Sequence, residues 1–336
     1  MAEIRHFGHL ADGSGVEAVT LGHAEGLQAE VLTYGAILRR LSLPVRGQRR
    51  ELILAMDRPD AYERDTAYVG AVVGRFANRI AAGRFSIGDQ AHQLTRNEKG
   101  NHLHGGSLGT GKRLWRLTGT PSETAVRLAL HSPAGEEGYP GALDISVEMS
   151  VGSDSLRVEF TAQADAPTPV NLTCHPYFNL GGDVADHWLR IPASRYLPVL
   201  PGLIPTGEMA PVEGTPFDFR VGRRLAPPPL AQHSQLSVAG GYDHCWIIDE
   251  GADCHCELRS AADDLSLKIL ASGPGLQFYG GQYLRQAHPE FSGGIALEPQ
   301  QLPDSPNHPA FPDTLLRPGR TWRAFIELQL RVRPPG

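Results

Sequence analysis

Two side chains able to carry protons near neutral pH stand directly before prolines in apolar surroundings. They are His175 in NLTCHPYFNL (Asn171–Leu180) and Glu298 in GIALEPQ (Gly294–Gln300). Imidazoles and carboxylates are the usual agents of general acid–base catalysis. Proline biases the preceding residue toward extended backbone and removes a ladder donor, so both side chains are expected where a strand ends or bulges. The IAL ahead of Glu298 reads as buried strand, and a carboxylate set there needs a partner or a substrate. Taken alone, His175 fits a satisfied core histidine better than an acid, so its company has to decide.

That company is a series of polar residues in glycine-punctuated apolar stretches: GRFANRI (Gly74–Ile80), NHLHGG (Asn101–Gly106), GGYDHCWII (Gly240–Ile248) and GPGLQFYGG (Gly273–Gly281). Each brings one or two groups able to hydrogen-bond a hydroxyl, and none brings an activated nucleophile. A polyol is the natural ligand. Singly, Asp243 reads as a turn residue, Arg79 as a surface ion-pair member and Gln277 as a loop cap; only their joint order points to a site. No G-x-S-x-G elbow and no G-x-G-x-x-G opening a helix is present, which removes the usual supports for acyl transfer and dinucleotide chemistry.

Two further stretches imitate known sites. GSLGTGK (Gly106–Lys112) has the glycine and lysine spacing of a P-loop, but Arg113 stands where a magnesium-binding hydroxyl belongs and no helical pattern follows, so a loop is expected. On a strand His102 and His104 would share a face, as in a cupin-like metal site. Cys254, His255 and Cys256 have no second ligand pair and read as structural. No metal centre is expected.

The elements that must hold these residues are strands. DISVEMSV (Asp144–Val151) puts Ile145, Val147, Met149 and Val151 on one face, and LRVEF does the same with Leu156, Val158 and Phe160 across the turn-forming GSDS. LSLKILA repeats the period with Leu265, Leu267, Ile269 and Ala271, and Trp322, Ala324, Ile326, Leu328 and Leu330 sustain it near the end. No segment has an equally long helical period. With 38 glycines and 27 prolines for turns, and no repeat or polar linker, residues 1–336 are expected to form a single all-β domain, a large antiparallel sandwich. A net charge of -6 offers no attraction for nucleic acid or an anionic membrane. Cys174, Cys245, Cys254 and Cys256 are not spaced as a disulfide framework, and no stretch has the length of a secretory or membrane-spanning segment, so a cytoplasmic protein is expected.

In order and context, YGAILRRL, GRFANRI, NHLHGG, HPYFNL, YDH and LEPQQLPDSPNHP resemble the aldose 1-epimerase (mutarotase) family over nearly the whole chain. The resemblance implies a β-supersandwich with few short helices, and interconversion of the α and β anomers of free aldohexoses such as galactose and glucose without a cofactor. It makes Glu298 the general base and His175 the general acid, with Asn78, Arg79, His104, Asp243 and Gln277 holding the sugar's hydroxyls. Ordinary pKa values of about 4.3 and 6.5 leave a window in which Glu298 is ionised while His175 can donate. Above it, Asp243 is expected to keep the imidazole charged, Arg79 to steady negative charge, and Tyr177, Phe178, Phe278 and Tyr279 to offer apolar faces. Family members often carry serine and threonine where this chain has Pro176 and Pro299, and GQYLRQAHPEFSGG lacks the TGN wording of many relatives. The alternatives are a hexose-6-phosphate epimerase using Arg75, Arg84 and Arg96, a glycosidase using Asp243 and Glu298 as its two carboxylates, and a carbohydrate-binding protein without catalysis. The partner is a monosaccharide, and the chain is expected to be a monomer or homodimer.

Overall fold

Period-two patterning becomes three large antiparallel sheets in the computed structural model, which describes residues 2–333. Glu3–His9, Gly15–Gly22, Gln28–Leu32, Leu38–Val45 and Gln48–Glu51 form a five-stranded meander in chain order. The largest sheet has nine strands, in the order Arg116–Leu117, Ala125–Ser132, Leu143–Val151, Ser155–Ala164, Trp322–Val332, Leu265–Ala271, Cys256–Arg259, Trp188–Arg190 and Arg223–Arg224. It contains every strand named from alternation, and the expected hairpin pairs Val151 with Leu156 and Ile145 with Ala162. A six-stranded sheet follows the order Tyr177–Phe178, Ile295–Gln300, Gly275–Tyr279, Asp243–Ile247, Arg195–Leu197 and Ala210–Pro211. The α-helices among the described residues, Pro59–Arg64, Ser234–Ala239 and Leu284–Ala287, are short. The architecture is an all-β supersandwich.

One contiguous apolar cluster draws on all three sheets, from Val19 and Val31 through Val147, Phe160, Trp246 and Phe278 to Leu330. The six-stranded sheet has two unlike faces. Inward, Trp246, Leu276, Phe278, Leu297 and Phe178 belong to the core, and the Phe278 ring stacks on Tyr242 at 5.2 Å and meets Phe219 edge-on at 5.9 Å. Outward stand their alternates: Asp243 opposite Tyr279, and Gln277 opposite Glu298. A one-residue slip would drive Glu298 into the core and turn Leu297 outward. Each large apolar side chain so exposed would forfeit about 1.5–3 kcal/mol, so the core fixes the register that presents the polar face.

Candidate active site

The outer face of the six-stranded sheet floors a hollow of about 260 Å³. Asn78, Arg79, His104, His175, Asp243, Gln277 and Glu298 all line it, together with Tyr68, Glu98, Lys99, Leu203, Tyr177, Tyr279, Tyr283, Leu284 and Ala287. A larger hollow of about 820 Å³ lies on the polar face of the nine-stranded sheet. There the charges satisfy one another, Arg127 with Glu148 at 2.9 Å and His131 with Asp144 at 2.7 Å. The smaller hollow differs in holding buried polar atoms without partners, Nδ1 of His175 and Oε2 of Glu298. Orphaned buried groups are costly and call for an explanation, a catalytic role being one.

His175 and Glu298 arrive from neighbouring pieces of backbone. His175 falls in the break between the two-residue strands Thr173–Cys174 and Tyr177–Phe178, where its amide donates to Ala71 O and its carbonyl accepts from Gly70, both at 2.9 Å. That is the strand-end position expected before Pro176. Glu298 departs from the expectation, standing inside the continuous strand Ile295–Gln300 with Pro299 also in the strand. Pro299 is tolerated because its carbonyl accepts from the Thr173 hydroxyl at 2.7 Å, away from the ladder with Gly275–Tyr279. A strand residue's nitrogen points to the same side as its own carbonyl, so the missing N–H faces an unladdered edge. The result sets Nε2 of His175 3.5 Å from Oε1 of Glu298, with the side chains 6% and 2% exposed.

Asn78 and His104 hold each other in an unusual backbone shape. Both have positive φ, 66° and 50°, a conformation that costs non-glycine residues of order 1 kcal/mol or more. The His104 amide donates to Asn78 O at 3.1 Å, the Asn78 amide donates to His104 Nδ1 at 3.2 Å, and the Arg79 amide donates to Asn78 Oδ1 at 2.8 Å. Because Nδ1 of His104 is an acceptor, Nε2 carries the proton of the neutral ring and serves as a donor. This bears on a metal as well. His104, His175 and Glu298 bring possible ligand atoms within 4.8 Å of one another, but His104 would have to shed that Nε2 proton while its other nitrogen faces an N–H. The trio suits a hydroxylated ligand better than a cation.

On the opposite side Gln277 donates its amide to Asp243 Oδ1 at 2.6 Å, and Arg79 pairs with Glu98 at 3.2 Å. The rings of His104 and His175 meet edge-on at 5.3 Å, with Tyr68 over His104 at 4.7 Å and Tyr177 beside His175 at 5.1 Å. Of the four aromatic residues expected to offer apolar faces, Tyr177 and Tyr279 line the hollow, whereas Phe178 and Phe278 are alternates that point into the core.

Burial inverts the protonation expected from ordinary pKa values. It pushes Glu298 well above the usual carboxyl range, the charge of Asp243 adds to the rise, and Arg79 only partly opposes it. Burial takes His175 down to about 4 against its own backbone and Asp65. Asp243 therefore acts on Glu298 rather than holding a charge on His175, and burial raises Asp243 as well, against Arg79 and Gln277. His104 falls well below its ordinary value through burial, and then through the neighbouring His175 and Arg79.

The other sequence readings also find their places. His102 turns away from His104 into a buried contact, Nδ1 to Thr95 O and Nε2 to the Tyr139 hydroxyl, both 2.7 Å. Lys112 binds the carbonyl oxygens of Tyr62 at 2.8 Å and Glu63 at 3.3 Å near the end of the Pro59–Arg64 helix, so the P-loop-like stretch anchors backbone. His255 bonds Gly273 O at 2.7 Å, and Cys256 is fully buried. Arg75 is spent on Ser132, Pro133 and Gly141, while Arg84 and Arg96 face Gln93 and Ala82. Sequence reasoning missed Tyr68, Glu98 and Lys99. The signal for Glu98 was RNEKGNHLHG, a charged turn running straight into the His104 motif.

The chain is thus an all-β supersandwich with a hollow on one sheet face lined by side chains able to carry protons. The family model described as Aldose 1-epimerase matches residues 17–329. The galactose mutarotase of Mus musculus is 39% identical over 342 residues, covering 95% of this chain and 97% of that protein. The aldose 1-epimerase of Escherichia coli (strain K12) is 37% identical over 334 residues, covering 95% and 96%. Among solved structures, a galactose 1-epimerase from Lactobacillus acidophilus NCFM superposes with a TM-score of 0.89 at 28% identity, covering 99% of both chains. A GalM/aldose epimerase homologue from C. elegans gives 0.85 at 29%, covering 94% and 99%. The chain belongs to the aldose 1-epimerase family and is an isomerase of the epimerase class.

Proposed function

We propose that the pocket takes a free aldohexose, galactose or glucose, with Glu298 as base and His175 as acid. Glu298 removes the proton of the C1 hydroxyl while His175 delivers one to the ring oxygen. The C1–O5 electron pair passes to O5, and an open-chain aldehyde forms. Rotation about C1–C2 presents the other carbonyl face, and closure reverses both transfers, so the pair ends as it began. Asn78, Arg79, His104, Asp243 and Gln277 hold the remaining hydroxyls, with the Nε2 proton of His104 as a donor.

The observation that carries this reading is the 3.5 Å approach of His175 Nε2 to Glu298 Oε1, each residue keeping a buried atom without a partner in the same hollow. A neutral acid beside neutral imidazole contains the same single proton as a carboxylate beside imidazolium. Burial favours the first form. Hydroxyls donating to Glu298 favour its carboxylate, so binding the sugar passes the proton to His175 and arms the pair. Each positioned proton-transfer group is worth ~10² to 10⁴ in rate.

The lining counts against a phosphorylated substrate. Arg75, Arg84 and Arg96 lie outside it, and the cations that do line it, Arg79 and Lys99, share Glu98 at 3.2 and 3.8 Å. We further infer one domain, supported by the core that runs from Val19 to Leu330, and a reducing, cytoplasmic setting, supported by four free, buried cysteines. A role in galactose use is supported by the names of the mouse and other mammalian relatives. Polarimetry of freshly dissolved α-galactose, α-glucose and glucose 6-phosphate tests the reading. We expect acceleration of the free sugars well above that of the phosphate ester; acceleration confined to the ester, or sugar binding with no rate effect, would overturn it.

A further inference from the structure

One pair of charged groups just outside the pocket joins two stretches of its lining. Residues 65–69 form the wall that carries Tyr68, and residues 281–293, the stretch without the TGN wording, form the wall that carries Tyr283, Leu284 and Ala287. His288 Nε2 meets Asp65 Oδ1 at 2.8 Å, with Asp65 2% exposed. It is the only ion pair among the described residues that ties residues 281–293 to another segment.

Asp65 also shapes its own wall. Its Oδ1 accepts from the Ala67 amide and its Oδ2 from the Val69 amide, both at 2.7 Å. These bonds brace the turn in which Tyr68 has φ 55°, and so seat the Tyr68 ring over His104. His288 caps the other wall. Its amide donates to Leu284 O at 2.8 Å, closing the Leu284–Ala287 turn, and its ring lies 5.1 Å from Phe291. Elsewhere this wall is held by the Tyr283 amide on the Tyr279 hydroxyl at 2.9 Å, by Gln282 on Ala239 O at 3.1 Å, by Asn179 on Gly293 O at 3.0 Å, and by Leu284 and Phe291 in an apolar cluster with Tyr62, Val69 and Tyr177.

We propose that the Asp65–His288 pair is a positioning device for the sugar, holding the Tyr68 wall against the Tyr283–Ala287 wall and setting affinity without touching the substrate. The inference rests on reading the hollow as the sugar site. The titratable and charged groups facing the pair are Glu290, 3.4 Å from His288 Nδ1, Lys112, which approaches Asp65 from the Thr110–Lys112 turn, and, all within reach of the Asp65 charge, His175 and the hydroxyls of Tyr34, Tyr62, Tyr68 and Tyr177. The hydrogen bond to Asp65 raises His288 above its ordinary value against burial. The imidazolium is therefore complete below about pH 6.5 and is lost as pH rises through the raised value.

Losing a charge-assisted hydrogen bond weakens the hold of one segment on the other by about tenfold or more, and part of that loss passes to a sugar held between them. The test measures KM and kcat for α-glucose from pH 6 to 9 in wild type, His288→Gln and His288→Phe. We expect wild-type KM to climb with pH, and His288→Gln to have a roughly three- to tenfold higher KM at pH 6, little pH dependence of KM and a near-unchanged kcat. His288→Phe should go further in KM, and if it does not fold, His288→Gln decides. Wild-type KM values and an unaltered pH dependence in a folded His288→Gln would make the pair merely structural. An inactive wild type would instead sink the reading of the pocket.

Discussion

Glu298→Gln keeps the volume of the side chain and removes both its negative charge and its titration, so it separates catalysis from stability. Loss of the base should cost ~10² to 10⁴ in kcat, about 2.7–5.5 kcal/mol of transition-state stabilisation, read by polarimetry of fresh α-glucose. The folded carboxyl is raised well above 4.5 by burial and Asp243. Above that ordinary value the folded state keeps a proton that the unfolded chain has lost, so the group's contribution falls as pH rises through the folded value. The deficit grows by about 1.4 kcal/mol per pH unit while the folded carboxyl stays protonated. His175, depressed from 6.5 to about 4, contributes with the opposite sign, present above 6.5 and lost as pH falls to about 4. In wild type the two slopes oppose each other wherever the folded carboxyl is protonated and the folded imidazole neutral. Glu298→Gln unmasks the His175 slope. Measured in urea, its stability relative to wild type should therefore climb as pH rises above about 4.5, since only wild type carries the Glu298 deficit. A variant within tenfold of wild-type activity, or a stability gap that does not widen with pH, would refute the reasoning.

His175→Asn should lose a similar ~10² to 10⁴ in kcat, measured by the same polarimetry. The acid limb of wild-type kcat/KM should fall near pH 4, where His175 takes up a second proton on the pair, and not near 6.5; a midpoint at 6.5 in the pH–rate profile would contradict the burial argument. Gln277→Leu strips Asp243 of its 2.6 Å donor. It should raise KM about ten- to a hundredfold, the worth of a hydrogen bond to a charged group, with a smaller change in kcat, as initial rates over a range of sugar concentrations would show.

The strands Leu143–Val151, Ser155–Ala164 and Trp322–Val332 were legible because each has one more buried and one wetter face, which writes a period of two into the sequence, and Leu265–Ala271 keeps that period although Ser266 is buried. The strand carrying Glu298 was harder. Ile295–Gln300 is buried along its whole length, so no alternation marks its span, and Pro299 argued for a strand end where the structure has an edge able to do without an N–H. The company of His175 and Glu298 was recoverable from motif order. Their protonation was not, because an ordinary pKa belongs to a solvated side chain and these lost their water to walls drawn from distant segments. Asp65 and Tyr68 escaped for a related reason. An aspartate two residues before an Ala-Tyr turn has no periodic or spacing signature, and its partner His288 lies 223 residues away.

The same distribution of parts explains why the pocket sits on the sheet's outer face. Aromatic packing behind Gln277 and Glu298 fixes where their backbones lie, so Glu298 stands on a sheet with an interlocked core and His175 in the strand break beside it. The groups proposed to hold the hydroxyls, Asn78, Arg79 and His104, and the neighbouring Tyr68 come from short segments in which Asn78, His104 and Tyr68 are left-handed and braced by a few local hydrogen bonds. Proton transfer needs sub-ångström constancy between donor and acceptor, and a sheet with an interlocked core provides it. Sugar choice needs only a wall of suitable shape, and loops can change shape without disturbing the register that holds Gln277 opposite Glu298. Divergence among aldose epimerases is therefore expected to concentrate in residues 65–69 and 281–293 and to spare the strand pair beneath them.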